Sequence, residues 1–281
     1  MKTYFKLVIL FLAMTLTSCD DVINVDVQTA PSRLVIEASI DWEKGTTGSD
    51  QTIKLSKSTP YFDTNTNTAV TNASVRVVND NDGTEFIFTH QNNGAYTNTG
   101  FIPVIGQSYT LEVIHEGETY TANETLTPVV DITEVNQSKE EEDEDLLEVN
   151  IIFTDPEAEE NYYLLKIQRQ GDLLPELIDF DDEFINGNRI PMWYEKEDDE
   201  DTDEVNESFQ PGDVVDISFF GISEAYSNYM QILIEQSEGA GLFSSTPVPL
   251  KGNCINTTTP DNYAFGYFRL TQVVKTSYTF Q

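Results

Sequence analysis

Leu34-Val35-Ile36-Glu37-Ala38-Ser39-Ile40-Asp41 decides the fold: Leu34, Ile36, Ala38 and Ile40 alternate with Val35, Glu37, Ser39 and Asp41. Successive side chains of an extended strand point to opposite faces, so a period of two places one apolar row on a single side. The same period recurs at Ile53 and Leu55, at Val75 and Val77, at Phe86 and Phe88, and at Tyr109, Leu111 and Val113, and it continues through Tyr120 and Ala122. Turn formers separate these runs: Asn79-Asp80-Asn81-Asp82-Gly83, Asn92-Asn93-Gly94, Ile105-Gly106 and Glu116-Gly117. About seven short strands without helical periodicity predict, over 33–128, an antiparallel β-sandwich of immunoglobulin or transthyretin type. Cys19 and Cys254 are the two cysteines, so the inter-sheet disulfide of antibody domains is absent.

Beyond Pro128 a second β-rich domain, 129–281, is predicted. Leu147, Val149, Ile151 and Phe153 alternate, followed by Tyr163, Leu165 and Ile167, and later by Val215, Ile217 and Phe219. Between Asp172 and Asn206 the period weakens. The acidic runs 140–145 (EEEDED) and 195–204 (EKEDDEDTDE) require solvent, and Asp179, Asp181, Asp182 and Glu183 read as a solvated loop. The period changes once: after Ser223, a potential N-cap, Tyr226, Tyr229, Met230, Leu233 and Ile234 fall on one helical face, predicting an amphipathic helix near 223–238.

At the other end, Lys2 and Lys6 precede an apolar run, Leu7 to Leu16, closed by Leu16-Thr17-Ser18-Cys19. The run is too short for a membrane span, which needs about 20 apolar residues, and reads as a secretion signal over 1–18. A leucine three places before a cysteine resembles the bacterial lipobox, which implies cleavage before Cys19 and a lipid on its thiol. The alternative is an ordinary secretory signal with a chance cysteine. Residues 19–32 then form an acidic tether.

Loss of 1–18 removes Lys2 and Lys6 and no acids, leaving 13 basic and 49 acidic side chains, a formal charge of −36. Such a field opposes nucleic acid, whose binding depends on phosphate neutralisation. Catalytic signatures are missing. His90 and His115 are the two histidines, no G-x-S-x-G occurs, and His115-Glu116 lacks the second histidine of a zincin. Asp80 to Gly83 resemble part of a calcium loop, but the EF-hand spacing would put Val78 at the first ligand position, so a turn is the reading. No metal or cofactor is expected, and the chain is read as no enzyme. Aromatic side chains at strand ends offer the ligand contacts: Trp42, and above all the doublets Tyr61-Phe62 and Trp193-Tyr194. In an extended segment one ring of each doublet faces away from the other.

Several stretches together carry a family resemblance: Cys19-Asp20-Asp21-Val22-Ile23, Leu34-Val35-Ile36-Glu37-Ala38, Thr59-Pro60-Tyr61-Phe62-Asp63, Gly106-Gln107-Ser108-Tyr109, Pro211-Gly212-Asp213 and Ala264-Phe265-Gly266-Tyr267-Phe268. In this order they resemble the Bacteroidota lipoproteins catalogued as domain of unknown function 4249. The resemblance implies an outer-membrane lipoprotein that accompanies a TonB-dependent receptor, with no established activity. Asp20 and Asp21 after the lipidated cysteine resemble the export signal that sends such lipoproteins to the cell surface. The long acidic run 195–204 and Cys254 depart from the family pattern. The expected function is non-enzymatic ligand capture beside a TonB-dependent transporter, the outer membrane being reached through the lipid on Cys19; the alternative is a structural or adhesive surface module.

Overall fold

In a computed structural model the alternating run becomes β1, Leu34–Glu43, with Leu34, Ile36, Ala38 and Ile40 buried. The structure describes residues 30–60, 63, 66–139, 146–157, 160–183, 186–196, 208–237 and 249–281. Cys19, Asp20, Asp21, Tyr61 and Phe62 lie outside the described residues, as does most of the acidic run 195–204.

Six further strands complete the first unit: β2 (Gln51–Lys57), β3 (Ser74–Asn79), β4 (Glu85–His90), β5 (Ala95–Asn98), β6 (Ser108–His115) and β7 (Glu118–Thr125). Strands β1, β2 and β5 pair on one side, β3, β6 and β7 on the other, and β4 pairs with both β3 and β5. Ile36, Ile53 and Tyr96 from one layer meet Val77, Tyr109 and Leu111 from the other in one core, which makes a β-sandwich. The hairpin between β6 and β7 turns on Glu116 and Gly117, at φ of 52° and 83°; two positive φ values suit a two-residue loop whose twist matches its strands. The Asn79–Thr84 segment is a turn in which Asp82 accepts the Thr84 backbone N–H at 2.8 Å, and that bond holds its carboxyl below the usual range. Asp80 accepts hydrogen bonds from Thr110 and Asn123.

The second half contains β8 (Ile132–Lys139), β9 (Leu147–Thr154), β10 (Tyr162–Arg169), β11 (Glu176–Asp181), β12 (Arg189–Glu195), β13 (Val214–Ile222), α1 (Glu224–Ser237), the short β14 (Ile255–Asn256) and β15 (Phe268–Thr279). A three-stranded sheet, β12-β9-β8, faces the β11-β10-β13-β15 end of a twelve-stranded sheet. Phe153, Tyr163 and Phe219 fill the space between, with ring centroids 4.7 to 5.4 Å apart. Such aromatic clusters add to their area burial through offset and edge contacts.

Leu126 belongs to the first core and Val129 to the second. The last strand serves both cores. Its first half runs parallel to β1, Ala38 opposite Phe268 through Glu43 opposite Val273, and Phe268 and Leu270 enter the first core. Its second half runs antiparallel to β13, with Val274 and Tyr278 packed on the second core. The approach to β15 is close: Phe265 N–H donates to Leu34 O, Ile36 N–H donates to Phe265 O, and a Cβ on Gly266 (φ 93°) would fall 2.1 Å from Ile36 O. Only glycine fits there.

The helix starts where its N-cap predicts, with Ser223 Oγ accepting the Tyr226 N–H at 3.2 Å. Tyr226 and Met230 are buried, and Tyr229 and Ile234 pack beside them. Leu233 departs from the predicted stripe: it is 37% exposed, because beyond Met230 the helix keeps contact mainly on its β11 side, through Ile234. Asp179, Asp181 and Asp182 are also unlike a solvated loop, whereas Glu183 lies exposed in a turn. Asp179 and Asp181 lie on β11, Asp179 accepts hydrogen bonds from Ser227 and Gln231 of the helix, and Asp182 is fully buried.

Candidate binding face

Strand β12 is an edge strand with two unlike faces. Met192 and Tyr194 point into the second core, where Tyr194 meets Phe209 edge-on at 5.9 Å. Trp193 points the other way and is 56% exposed. The doublet therefore divides: Tyr194 supports the core, and Trp193 is left for an external contact.

The surroundings of Trp193 follow from register. Trp193 stands opposite Asn150 of β9, and Asn150 opposite Asn136 of β8, so one indole and two amides form a row across three strands. In the next row Glu195 faces Glu148 and Glu148 faces Ser138. These groups are pre-set. Ser138 Oγ donates to Glu148 at 2.5 Å, Asn150 Nδ2 donates to Ser138 Oγ at 2.7 Å, and Asn136 Nδ2 donates to Glu134 at 2.6 Å. With strands about 4.8 Å apart, the face spans about 10 Å. An exposed ring beside fixed amide and carboxylate groups can stack on a flat apolar surface of a ligand while its polar edge is hydrogen-bonded.

Ion pairs pin β12 at both ends. Arg189 reaches Glu134 at 3.1 Å, and Lys196 reaches Asp172 at 2.8 Å. Arg169 also holds Asp172, at 3.1 Å. Burial pushes the Asp172 carboxyl up, but hydrogen bonds from Lys196 and Arg169 outweigh it and leave the group below its ordinary range. A small cavity of about 50 Å³ lies beside this trio, walled by Tyr194, Phe209 and Leu174.

The remaining expectations divide. Trp42 is tied down, its indole N–H donating to Thr46 O at 2.9 Å while its ring packs on the first core. His90 sits exposed at the end of β4. His115 stands at the end of β6 but is buried: it is 6% exposed, and burial lowers its pKa below the ordinary 6.5. Cys254 is buried in the first core, and desolvation raises its thiol to about 12, which removes it as a nucleophile at neutral pH. Among the described residues, no three His, Cys, Asp or Glu side chains come together in a way that holds a metal ion, and no helix is long and apolar enough to cross a membrane. The sequence marked Trp193 through its doublet, but its amide row depends on strand register, which no local signal carries.

Comparison with solved structures finds distant neighbours. A two-domain fibronectin type III segment of chicken tenascin is 13% identical, covering 60% of this chain and 83% of the segment with a TM-score of 0.22. A cytokine receptor complex is 8% identical, with coverage of 69% and 85% and a TM-score of 0.27. A DUF4785 family protein from Legionella pneumophila is 10% identical, with coverage of 69% and 53% and a TM-score of 0.24. No curated protein matches the chain. The family profile described as "Domain of unknown function (DUF4249)" matches residues 20–277, nearly the whole sequence, and the chain belongs to that family.

Proposed function

We propose that this chain is a non-enzymatic lipoprotein, anchored in the outer membrane through Cys19 and facing the cell exterior, that captures a ligand for a TonB-dependent transporter. The observation that carries capture is Trp193, an indole more than half exposed within a row of fixed amides on a pinned edge strand. Burying such a ring against a ligand is worth about 1.5–3 kcal/mol, while leaving it in water has no structural benefit. Leu16-Thr17-Ser18-Cys19 supports the anchor, and Asp20 with Asp21 supports surface display.

The test is affinity purification of the lipidated protein from solubilised outer membranes of its native host, paired with protease shaving of intact cells. Co-purification of a TonB-dependent transporter and cleavage on intact cells are expected. A chain protected from protease, or one whose deletion leaves every nutrient uptake rate unchanged and which brings down no transporter, contradicts the proposal. The adhesive reading draws on a different observation: Leu173 and Leu174, at the turn between β10 and β11, are 91% and 76% exposed and suit contact with another protein. Capture of a matrix protein lost on Leu173→Ser with Leu174→Ser, with uptake unaltered, would favour that reading.

A further inference from the structure

A cleft of about 200 Å³ lies at the β6–β7 hairpin, far in sequence from Trp193, lined by Ser32, Leu34, Lys57, His115, Glu118 and Asn262, among others. Its volume is below the usual range for drug-sized ligands, so it suits a small one.

Two carboxylates border the cleft, and their circumstances differ. Glu116 is matched by Lys57, whose ammonium lies 3.0 and 3.1 Å from its two oxygens. Glu118 has no cationic partner among the described residues. Its Oε2 instead accepts from the Tyr120 hydroxyl at 2.9 Å, from Asn256 Nδ2 at 2.9 Å and from Asn262 Nδ2. Neutral donors orient a carboxylate and keep it ionised, the Tyr120 hydroxyl foremost, without cancelling its charge. Glu118 is thus a rigid, uncompensated anion.

The second observation is His115. Its ring is 6% exposed, and neither Nδ1 nor Nε2 has a hydrogen-bond partner among the described residues. The nearest carboxylate oxygen, on Glu116, stands 3.5 Å from Nε2, outside ordinary hydrogen-bond length. A buried polar group left without a partner costs about 1–3 kcal/mol, and a ligand that supplies the partner recovers it.

We propose that this cleft binds the ammonium group of a small primary amine, with Glu118 as its counter-ion and a His115 ring nitrogen accepting one of its N–H bonds. An ammonium carries three donors and one positive charge, which answers both unmet needs. An anion would meet Glu116 and Glu118. A neutral polyol would leave the Glu118 charge uncompensated. A metal ion is disfavoured because His115, Glu116 and Glu118 do not converge as a metal-holding group.

Ethanolamine is the probe, with N-acetylethanolamine and ethylene glycol as uncharged counterparts, titrated into the full mature chain in detergent and followed by ligand-observed nuclear magnetic resonance. Ethanolamine is expected to saturate at millimolar concentration, with both uncharged probes at least about tenfold weaker. Glu118→Gln should weaken ethanolamine by about tenfold or more. Lys57→Met, on an exposed side chain, should strengthen it severalfold by freeing Glu116; this opposite sign stands even if Glu118→Gln fails to fold. Trp193→Ala should leave binding unchanged, which separates this cleft from the ligand face. Equal binding of the uncharged probes, no effect of Lys57→Met, or saturable zinc binding without ethanolamine binding would each overturn the assignment.

Discussion

Removing Asp41 should expose how the two halves of the molecule are joined. Arg269, on the half of β15 that pairs with β1, is 7% exposed and sends Nη2 to Asp41 at 2.5 Å and Nη1 to the Tyr226 hydroxyl at 3.1 Å. Its guanidinium also lies over the rings of Phe220 and Tyr226, at 4.8 and 5.0 Å, and its Nε has no hydrogen-bond partner among the described residues. Asp41→Ala leaves this charge buried with only a hydroxyl and two ring faces. Breaking a buried pair costs about 3–5 kcal/mol. The Asp41 side chain is 33% exposed, so water can reach the vacated position, and the expected loss is smaller, about 2–3 kcal/mol. Adding Arg269→Met removes the stranded charge and keeps most of the side-chain volume, so the double variant should recover more than half of the loss. Urea denaturation followed by the fluorescence of Trp42, adjacent to Asp41 in β1, measures all three proteins. A loss below about 0.5 kcal/mol for Asp41→Ala, or a double variant no more stable than the single one, would refute the account.

Other outcomes follow from packing, strain and proton linkage. Phe219→Ala opens the centre of the second core, where Phe219 touches Phe153 and Tyr163, and should cost about 3–5 kcal/mol by chemical denaturation. The Trp193-Tyr194 doublet should split: Trp193→Ala should change stability by less than about 0.5 kcal/mol, whereas Tyr194→Ala, which removes a contact with Phe209, should cost more than about 1 kcal/mol. Gly266→Ala combines a positive φ with a main-chain clash against Ile36 and should destabilise by more than about 1 kcal/mol in thermal melts. His115 is a base whose folded pKa is depressed by burial below its ordinary 6.5. The unfolded chain therefore binds the proton more readily, and stability contributed by the neutral ring is complete above pH 6.5 and lost as pH falls from there through the folded pKa. His115→Gln should flatten that part of the Tm profile between pH 7.5 and 5, and an unchanged slope would contradict it.

The first sandwich was legible because one face of each strand is buried, so Leu34, Ile36, Ala38 and Ile40 carry the period in their chemistry. The helix was legible for the same kind of reason, through Ser223 and the spacing of Tyr226 and Met230. Strands β11 and β12 were obscured because edge strands tolerate acids, proline and exposed rings, which blur the alternation. Asp179 and Asp182 looked solvated because a carboxylate in sequence gives no sign of the donors that will meet it; Ser227 and Gln231 lie about 50 residues away. The parallel pairing of β1 with β15 had no local signature. The candidate site shows the same division: Trp193 was visible as a residue type in a doublet, while Asn150 and Asn136 beside it, and the unpartnered ring of His115, arise from register and burial alone.

The shared strand β15 also sets a limit on the order of folding. Ala38 waits for Phe268, some 230 residues later in the chain, so β1 has an open edge on its β15 side throughout synthesis of everything between. Until β15 emerges, Phe268 and Leu270 are absent from one core and Val274 and Tyr278 from the other. Neither sandwich can mature well ahead of its neighbour, and both half-built sheets present unpaired backbone of the kind that recruits other chains. A chain built this way gains most from a holding chaperone during synthesis, and a truncation of its last dozen residues would disable the half made first as surely as the half made last.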